Sequence, residues 1–213
     1  MLTINEIFYS IQGESTYAGR PCVFVRLTAC DLRCSWCDTP YAFYEGRKQS
    51  LDDVLAEVER AGCLLVEVTG GEPLLQEDVY PLMQSLLDRG RTVLLETGGH
   101  RSTARVPAPV ITILDVKCPG SGESHSNDWS NLERLRPHDE VKFVIKDRAD
   151  YEFARDAIAR FGLADRAAAV HLSPVHGVLD ARELSAWLLA DGLPARVQLQ
   201  LHKYIWDPDT RGV

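Results

Sequence analysis

Three cysteines, Cys30, Cys34 and Cys37, fall within eight consecutive positions at the spacing C-x3-C-x2-C. Thiols clustered this tightly read as metal ligands. A structural zinc site closes with four ligands, and most iron–sulfur clusters also take four cysteines. No fourth Cys or His follows at ligand spacing. Two chemistries fit. A zinc ion could be completed by Cys22, Cys63 or Cys118 from elsewhere in the chain. Alternatively, a four-iron cluster on three thiolates leaves one iron without a protein ligand. That iron could hold a substrate or cofactor, as the open position of a catalytic zinc does.

The elements that must position this loop follow from periodicity. Leu2 to Ile11 reads as a strand, and Gln12-Gly13-Glu14-Ser15 as a turn. Val23 to Leu27 is a short β-branched strand running directly into the cysteine loop. Ser50-Leu51-Asp52-Asp53 opens a helix with a capping-box pattern. Leu51, Val54, Leu55 and Val58 form its apolar face, and Gly62 stops it. Further strands are predicted over Leu64–Val68, Thr92–Glu96, Val110–Val116, Val141–Ile145, Ala168–Leu172 and Val197–Leu201. Further helices are predicted over Val79–Arg89, Ala149–Phe161 and Ala181–Ala190. Between Thr92–Glu96 and Val110–Val116 there is no room for a normal helix. The polar Glu123–His138 connection receives no assignment.

Alternating strands and helices with short apolar strands predict a parallel sheet with outer helices. A complete eightfold barrel takes about 250 residues, and this chain has 213. The expectation is therefore an α/β fold of one domain, residues 1–213: an open, partial (β/α) barrel of the TIM type with some helices missing. The unusual residues all follow C-terminal strand ends: the cysteine loop, Thr69-Gly70-Gly71-Glu72-Pro73, Glu96, Asp115 to Pro119, Ser173-Pro174 and His202-Lys203. Barrels build their active sites on that face, and a structural zinc needs no such convergence.

A formal net charge of −8 argues against a general nucleic-acid grip, which needs a basic face. There is no signal peptide and no long apolar run. The expectation is a cytoplasmic protein without a membrane partner, in a compartment that keeps thiols reduced.

With Trp36 just before its last cysteine, the loop resembles the signature of the radical S-adenosylmethionine (SAM) superfamily. Thr69-Gly70-Gly71-Glu72-Pro73 resembles that superfamily's second motif. The opening Ile4 to Ser15, with Gly19-Arg20-Pro21, resembles the 7-carboxy-7-deazaguanine synthase family. The likeness continues through Cys37-Asp38-Thr39, Glu96-Thr97-Gly98, Asp115 to Pro119, Leu172 to Val175, Gln200 to Lys203, Trp206 and Arg211-Gly212-Val213, essentially the whole chain.

The resemblance implies a lyase that contracts 6-carboxy-5,6,7,8-tetrahydropterin to 7-carboxy-7-deazaguanine with loss of ammonia, in queuosine and 7-deazapurine biosynthesis. It implies a [4Fe-4S] cluster on Cys30, Cys34 and Cys37. SAM is expected along Trp36, Cys37, Asp38, Gly71, Glu96, Lys117, Cys118, Leu172, Ser173, Pro174 and Val175, with Cys118 a small loop residue and not a fourth cluster ligand. It further implies Mg2+ at Thr39, a low-potential electron donor such as flavodoxin, and a homodimer.

For the pterin, Gln12, the backbone of Gly13, and Glu14 offer planar donors and acceptors. Arg26 can take the substrate carboxylate in a bidentate fork, or form a surface salt bridge. Thr69 belongs to the second motif. Val213 is expected to bring a terminal carboxylate to the cavity mouth. Glu96 reads equally as a ribose acceptor or a salt-bridged strand end, and Thr39 as a metal ligand or a turn cap. The competing functions are another small radical SAM enzyme, such as a glycyl-radical activase, and a zinc-stabilised binding module.

Overall fold

The computed structural model describes residues 1–213. Nine strands form one sheet: β1 (Leu2–Ile11), β2 (Pro21–Leu27), β3 (Arg47–Gln49), β4 (Leu65–Gly70), β5 (Thr92–Thr97), β6 (Ile111–Val116), β7 (Glu140–Ile145), β8 (Ala169–Pro174) and β9 (Arg196–Val197). Seven helices accompany them: α1 (Leu51–Ala61), α2 (Val79–Asp88), α3 (Ser130–Glu133), α4 (Arg148–Phe161), α5 (Leu163–Arg166), α6 (Ala181–Asp191) and α7 (His202–Ile205). Only α1, α2, α4 and α6 reach ten residues. These are the four helices expected from the apolar periodicity.

The strand order is β3-β1-β2-β4-β5-β6-β7-β8-β9. Pairing is parallel from β2 to β9, and β1 is antiparallel to β2 and β3. The sheet is open, as expected. The α1 capping box forms between Ser50 and Asp53, and β5 connects to β6 without a helix.

Alternation within the strands decides what faces the site. Val66 and Val68 of β4, Val93 and Leu95 of β5, and Val141, Phe143 and Ile145 of β7 pack in the two large core clusters with the outer helices. Burying each such side chain contributes about 1.5–3 kcal/mol. The opposite face is apolar only at its lower end, where Cys22, Phe24, Leu65, Leu94 and Ile113 form a small plug. Two residues further along the same strands stand Arg26, Glu67, Glu96 and Asp115, and Lys142 of β7 joins them, all lining one cavity. Period-two geometry thus stacks a charged layer on an apolar floor.

Three expectations need correction. The last strand, expected over Val197–Leu201, pairs only at Arg196–Val197. Beyond it, Gln198 N still donates to Leu172 O at 2.9 Å, but Leu201 N turns to Gly13 O at 2.9 Å, and α7 begins at His202. The chain leaves the ladder because the turn after β1 offers competing partners. That turn bridges the two sides of the sheet: Ser15 N donates to Gln198 Oε1 at 2.6 Å and Thr16 N to Glu140 Oε2 at 3.0 Å. Second, β3, short and largely charged, carries no apolar signal and was not expected. Third, the unassigned Glu123–His138 connection contains a 3-10 turn (Ser124–Ser126) and α3. Its buried Asn131 donates to Gly99 O at 3.1 Å and Arg101 O at 2.9 Å.

Candidate active site

A cavity of about 540 Å³ opens at the C-terminal ends of the parallel strands, within the range of small-molecule sites. The cysteine loop forms one wall. Cys30, Cys34 and Cys37 are half-buried, unpaired and all line it. The loop is held from several sides. Ala29, at φ 82°, donates to Ala42 O at 2.8 Å and accepts from Glu72 N at 2.8 Å. Such a conformation is strained for a residue with a Cβ and persists where neighbours over-determine it. Ser35 N donates to Ser121 O at 3.0 Å, and Ser35 Oγ to Gly120 O at 2.9 Å. Asp31 accepts from Arg101 and meets His100 Nε2 at 2.6 Å. Burial pushes the Cys34 thiol up to about 11, so deprotonation there calls for a metal partner.

The residues needed to complete a zinc site are absent from this wall. Cys22 lies in the apolar plug, and Cys63 donates to Pro21 O at the opposite strand ends. Cys118 is buried in the core behind β6. No three His, Cys, Asp or Glu gather closely enough for a single ion. Three thiols around a common cavity suit a multi-iron cluster instead.

The Gly-Gly-Glu-Pro turn makes the second wall. A Cβ on Gly71 would sit 2.8 Å from Cys30 Cβ, so glycine is what lets the two loops touch. Glu72 is fully buried. It accepts from Leu74 N at 2.9 Å, Gly98 N at 2.8 Å and Thr97 Oγ1 at 2.8 and 2.9 Å. Its carboxylate therefore ties this turn to the end of β5. Thr69 and Gly71 line the cavity.

Across the cavity lies the turn after β1. Gln12 is 3 % exposed, and its amide is engaged on both sides. Nε2 donates to Glu67, and Oε1 accepts from Glu14 N at 2.9 Å. The Gln12 side chain lines the cavity while these two bonds fix its orientation. Gly13 packs under the His202 ring, which any Cβ there would overlap. Glu14 accepts from Lys142 Nζ at 2.9 Å, Gln198 Nε2 at 3.0 Å and Gln200 Nε2 at 3.0 Å. Burial raises the Glu14 pKa, but Lys142 outweighs it and keeps the group below the usual range. Glu67 has no such cation in contact. Burial, with Glu96 and Glu14 nearby, holds its pKa well above the usual range.

Arg26 forms an ion pair with Glu6, Nε to Oε1 at 2.8 Å. The salt bridge weighed for it exists, but it is part-buried and uses only Nε. The arginine also lines the cavity. Glu96 is salt-bridged too, to Lys142, while facing the cavity. Lys117 donates to Asp115 Oδ2 at 2.8 Å. Thr39 precedes a 3-10 turn at Pro40–Phe43 but makes no side-chain cap to it. Its hydroxyl lies 4.0 Å from Cys37 Sγ.

Trp36, Asp38, Ser173, Pro174, Val175 and Val213 also line the cavity. Two expected cofactor residues do not. The Cys118 thiol and the Leu172 side chain point into the helix-side core. They stand at alternate positions to Lys117 and Ser173, and so on the opposite face. Sequence reasoning missed Glu67, His100, Lys142 and Gln198. For Glu67 and Lys142 the available signal was a lone polar residue at an alternate position of an apolar strand; His100 and Gln198 lie outside the strands and gave none.

The chain matches the radical SAM superfamily model over residues 25–118. It is 51% identical to a 7-carboxy-7-deazaguanine synthase of Koribacter versatilis over all of both chains. It is 47% identical to one of Chlorobaculum tepidum, covering 100% of this chain and 97% of that one, and 39% identical to one of Thermoplasma acidophilum over all of both. Among solved structures, QueE from Escherichia coli superposes with a TM-score of 0.76 at 24% identity, covering 94% of each chain. Streptococcus suis SuiB bound to S-adenosylmethionine superposes with a TM-score of 0.59 at 14% identity, covering 81% of this chain and 48% of that one. These two likenesses concern the fold.

Proposed function

Because the chain belongs to the 7-carboxy-7-deazaguanine synthase family of radical SAM enzymes, we propose that it contracts 6-carboxy-5,6,7,8-tetrahydropterin to 7-carboxy-7-deazaguanine. The product differs from the substrate by one ammonia, so the step is a lyase reaction with no net oxidant. It lies on the route to queuosine and other 7-deazapurines. The observation that carries this reading is the full-length identity to named synthases. The shared cavity of the cysteine loop and the Gln12–Glu14 turn is consistent with it.

A [4Fe-4S] cluster together with SAM would supply a 5′-deoxyadenosyl radical here. Cys30, Cys34 and Cys37 hold the cluster. Gly71 lets the second motif approach it, and Glu96 and Lys117 line the cofactor's side of the cavity with Ser173, Pro174 and Val175. On the substrate side, Glu14 accepts pterin N–H groups. Arg26 lines the cavity, and with Glu6 on its Nε its terminal nitrogens would serve as the fork for the substrate carboxylate. Val213 sits at the mouth. The whole chain acts as one domain. A low-potential donor, a homodimer and a reducing cytoplasm complete the reading. No helix is long and apolar enough to cross a membrane.

Anaerobic incubation of the reconstituted protein with SAM, dithionite, Mg2+ and carboxytetrahydropterin is expected to yield a product 17 mass units lighter than the substrate. A hydrogen-abstracted protein partner with the pterin unchanged would instead indicate an activase.

Mg2+ takes oxygen ligands and keeps several waters. Thr39, whose hydroxyl caps nothing, fits as its one protein ligand beside a substrate oxygen. A Thr39→Ala variant is expected to keep cluster absorbance and SAM affinity and to lose most of the rate gained on adding Mg2+. An unchanged Mg2+ titration of turnover removes Thr39 from the metal.

A further inference from the structure

The charged layer of the cavity is centred on one cation. Lys142 stands in the middle of β7, and its side chain is 7 % exposed. Glu14 Oε2 lies 2.9 Å from its ammonium, Asp115 Oδ2 lies 3.9 Å away, and Glu96 Oε1 is also bonded to it. Glu67 lines the same cavity. Lys117 is occupied with Asp115, and Arg26 with Glu6. Glu14 and Glu96 therefore share one ammonium as their only charged partner. They come from different elements, one from the turn after β1 and the other from the end of β5.

We propose that Lys142 is a positioning residue that couples the two halves of the cavity: its ammonium, shared between Glu14 and Glu96, makes occupancy of the pterin subsite change the affinity of the SAM subsite. The inference rests on the assignment of Glu14 to the pterin and Glu96 to SAM. Its physical basis is competition for acceptor capacity. Glu14 Oε2 already receives two donors, Lys142 and Gln198. Pterin N–H groups arriving at Glu14 displace part of that bonding and leave the ammonium to Glu96. Glu96 is then held in one rotamer for the ribose hydroxyls. Such a coupling is reciprocal: SAM must tighten pterin by the factor that pterin tightens SAM. Glu96 needs this support, because truncating one partner of a buried charge pair leaves the other unpaired.

The test uses reconstituted protein with its cluster oxidised, so that nothing turns over. Equilibrium dialysis measures the Kd of SAM with and without carboxytetrahydropterin, for wild type, Lys142→Met and Lys142→Arg. In wild type, pterin is expected to lower the SAM Kd roughly 5-fold or more, the lower end of typical couplings. In Lys142→Met, SAM alone should bind about 10-fold more weakly, and pterin should change its Kd less than twofold. Lys142→Arg, which keeps the charge, should restore part of the coupling. Iron content and melting temperature show whether each variant is folded and loaded, and the arginine variant serves if the methionine variant is not. Equal coupling in wild type and a loaded Lys142→Met overturns the proposal and leaves the assigned reaction standing. If wild type does not bind pterin, the assignment of Glu14 fails. The SAM arm then decides alone: a weakened Kd in Lys142→Met upholds the support of Glu96, and an unchanged one overturns it.

Discussion

Single Cys30→Ala, Cys34→Ala and Cys37→Ala variants are expected to emerge from anaerobic reconstitution without iron–sulfur absorbance and without turnover. Cys22→Ala, Cys63→Ala and Cys118→Ala should retain both. All six thiols are unpaired, so reactivity does not separate the two sets; position does. The first three line one cavity, whereas Cys22 and Cys118 are buried in apolar clusters and Cys63 bonds Pro21 O. A cluster on three thiolates has no spare protein ligand, so each loss should be complete and not partial. The buried controls should cost only stability, on the order of 1 kcal/mol for a lost sulfur-sized group, read as a small fall in melting temperature. Iron and acid-labile sulfide analysis with visible absorbance checks both sets. Loss of the cluster in Cys118→Ala would defeat the open-iron argument. One zinc and no iron in the wild type would defeat the cluster altogether.

Gly71→Ala is expected to be nearly as damaging, although no ligand is removed. The added methyl would lie 2.8 Å from Cys30 Cβ and closer still to the Ala29 carbonyl. The turn has no room to retreat. Gly71 N donates to Leu27 O at 3.1 Å, and Glu72 N to Ala29 O at 2.8 Å. Relief must come from displacing Cys30. Overpacking of this kind costs typically 1–3 kcal/mol, and here the displacement falls on a cluster ligand. Reconstituted iron content should drop to a small fraction of wild type. Gly192→Ala is the control. Unlike Gly71, it carries a positive φ, 58°, and a Cβ there meets nothing within 4 Å. It should lose about 1–2 kcal/mol from the left-handed backbone and keep its cluster. Full iron content in Gly71→Ala would mean that the two loops can separate without harm.

The same two loops show how far the sequence could be read. The cysteine spacing and the Gly-Gly-Glu-Pro turn are local patterns, so their chemistry was legible before any fold was known. The four long helices were legible for a similar reason, since apolar periodicity and caps are local. The last strand was misread because Val197 to Leu201 competes for two partners, the β8 ladder and the turn after β1. Only the closed geometry shows that Leu201 N reaches Gly13 O. The Gln12 side chain was expected to face the substrate because its amide suits a pterin. It does line the cavity, and only the fold shows that Glu67, 55 residues away, takes one of its amide hydrogens.

By itself, then, the sequence determined the three-cysteine loop, the open α/β architecture and the face on which the cavity is built. Each of these follows from spacing along one stretch of chain or from the direction of parallel strands. The tertiary structure alone decided which polar groups are free and which are already paired. Arg26 is paired with Glu6 through its Nε, Gln12 is bonded to Glu67 across 55 residues, and Cys118 and Leu172 turn to the core while their neighbours line the cavity. Lys142 is the plainest case. In sequence it is one polar residue in an apolar strand. It becomes the hub of the cavity only where the curled sheet brings Glu14, Glu96 and Asp115 within 4 Å of one ammonium. Pairing of buried charges depends on distances between segments remote in sequence, and those distances exist only once the sheet has formed.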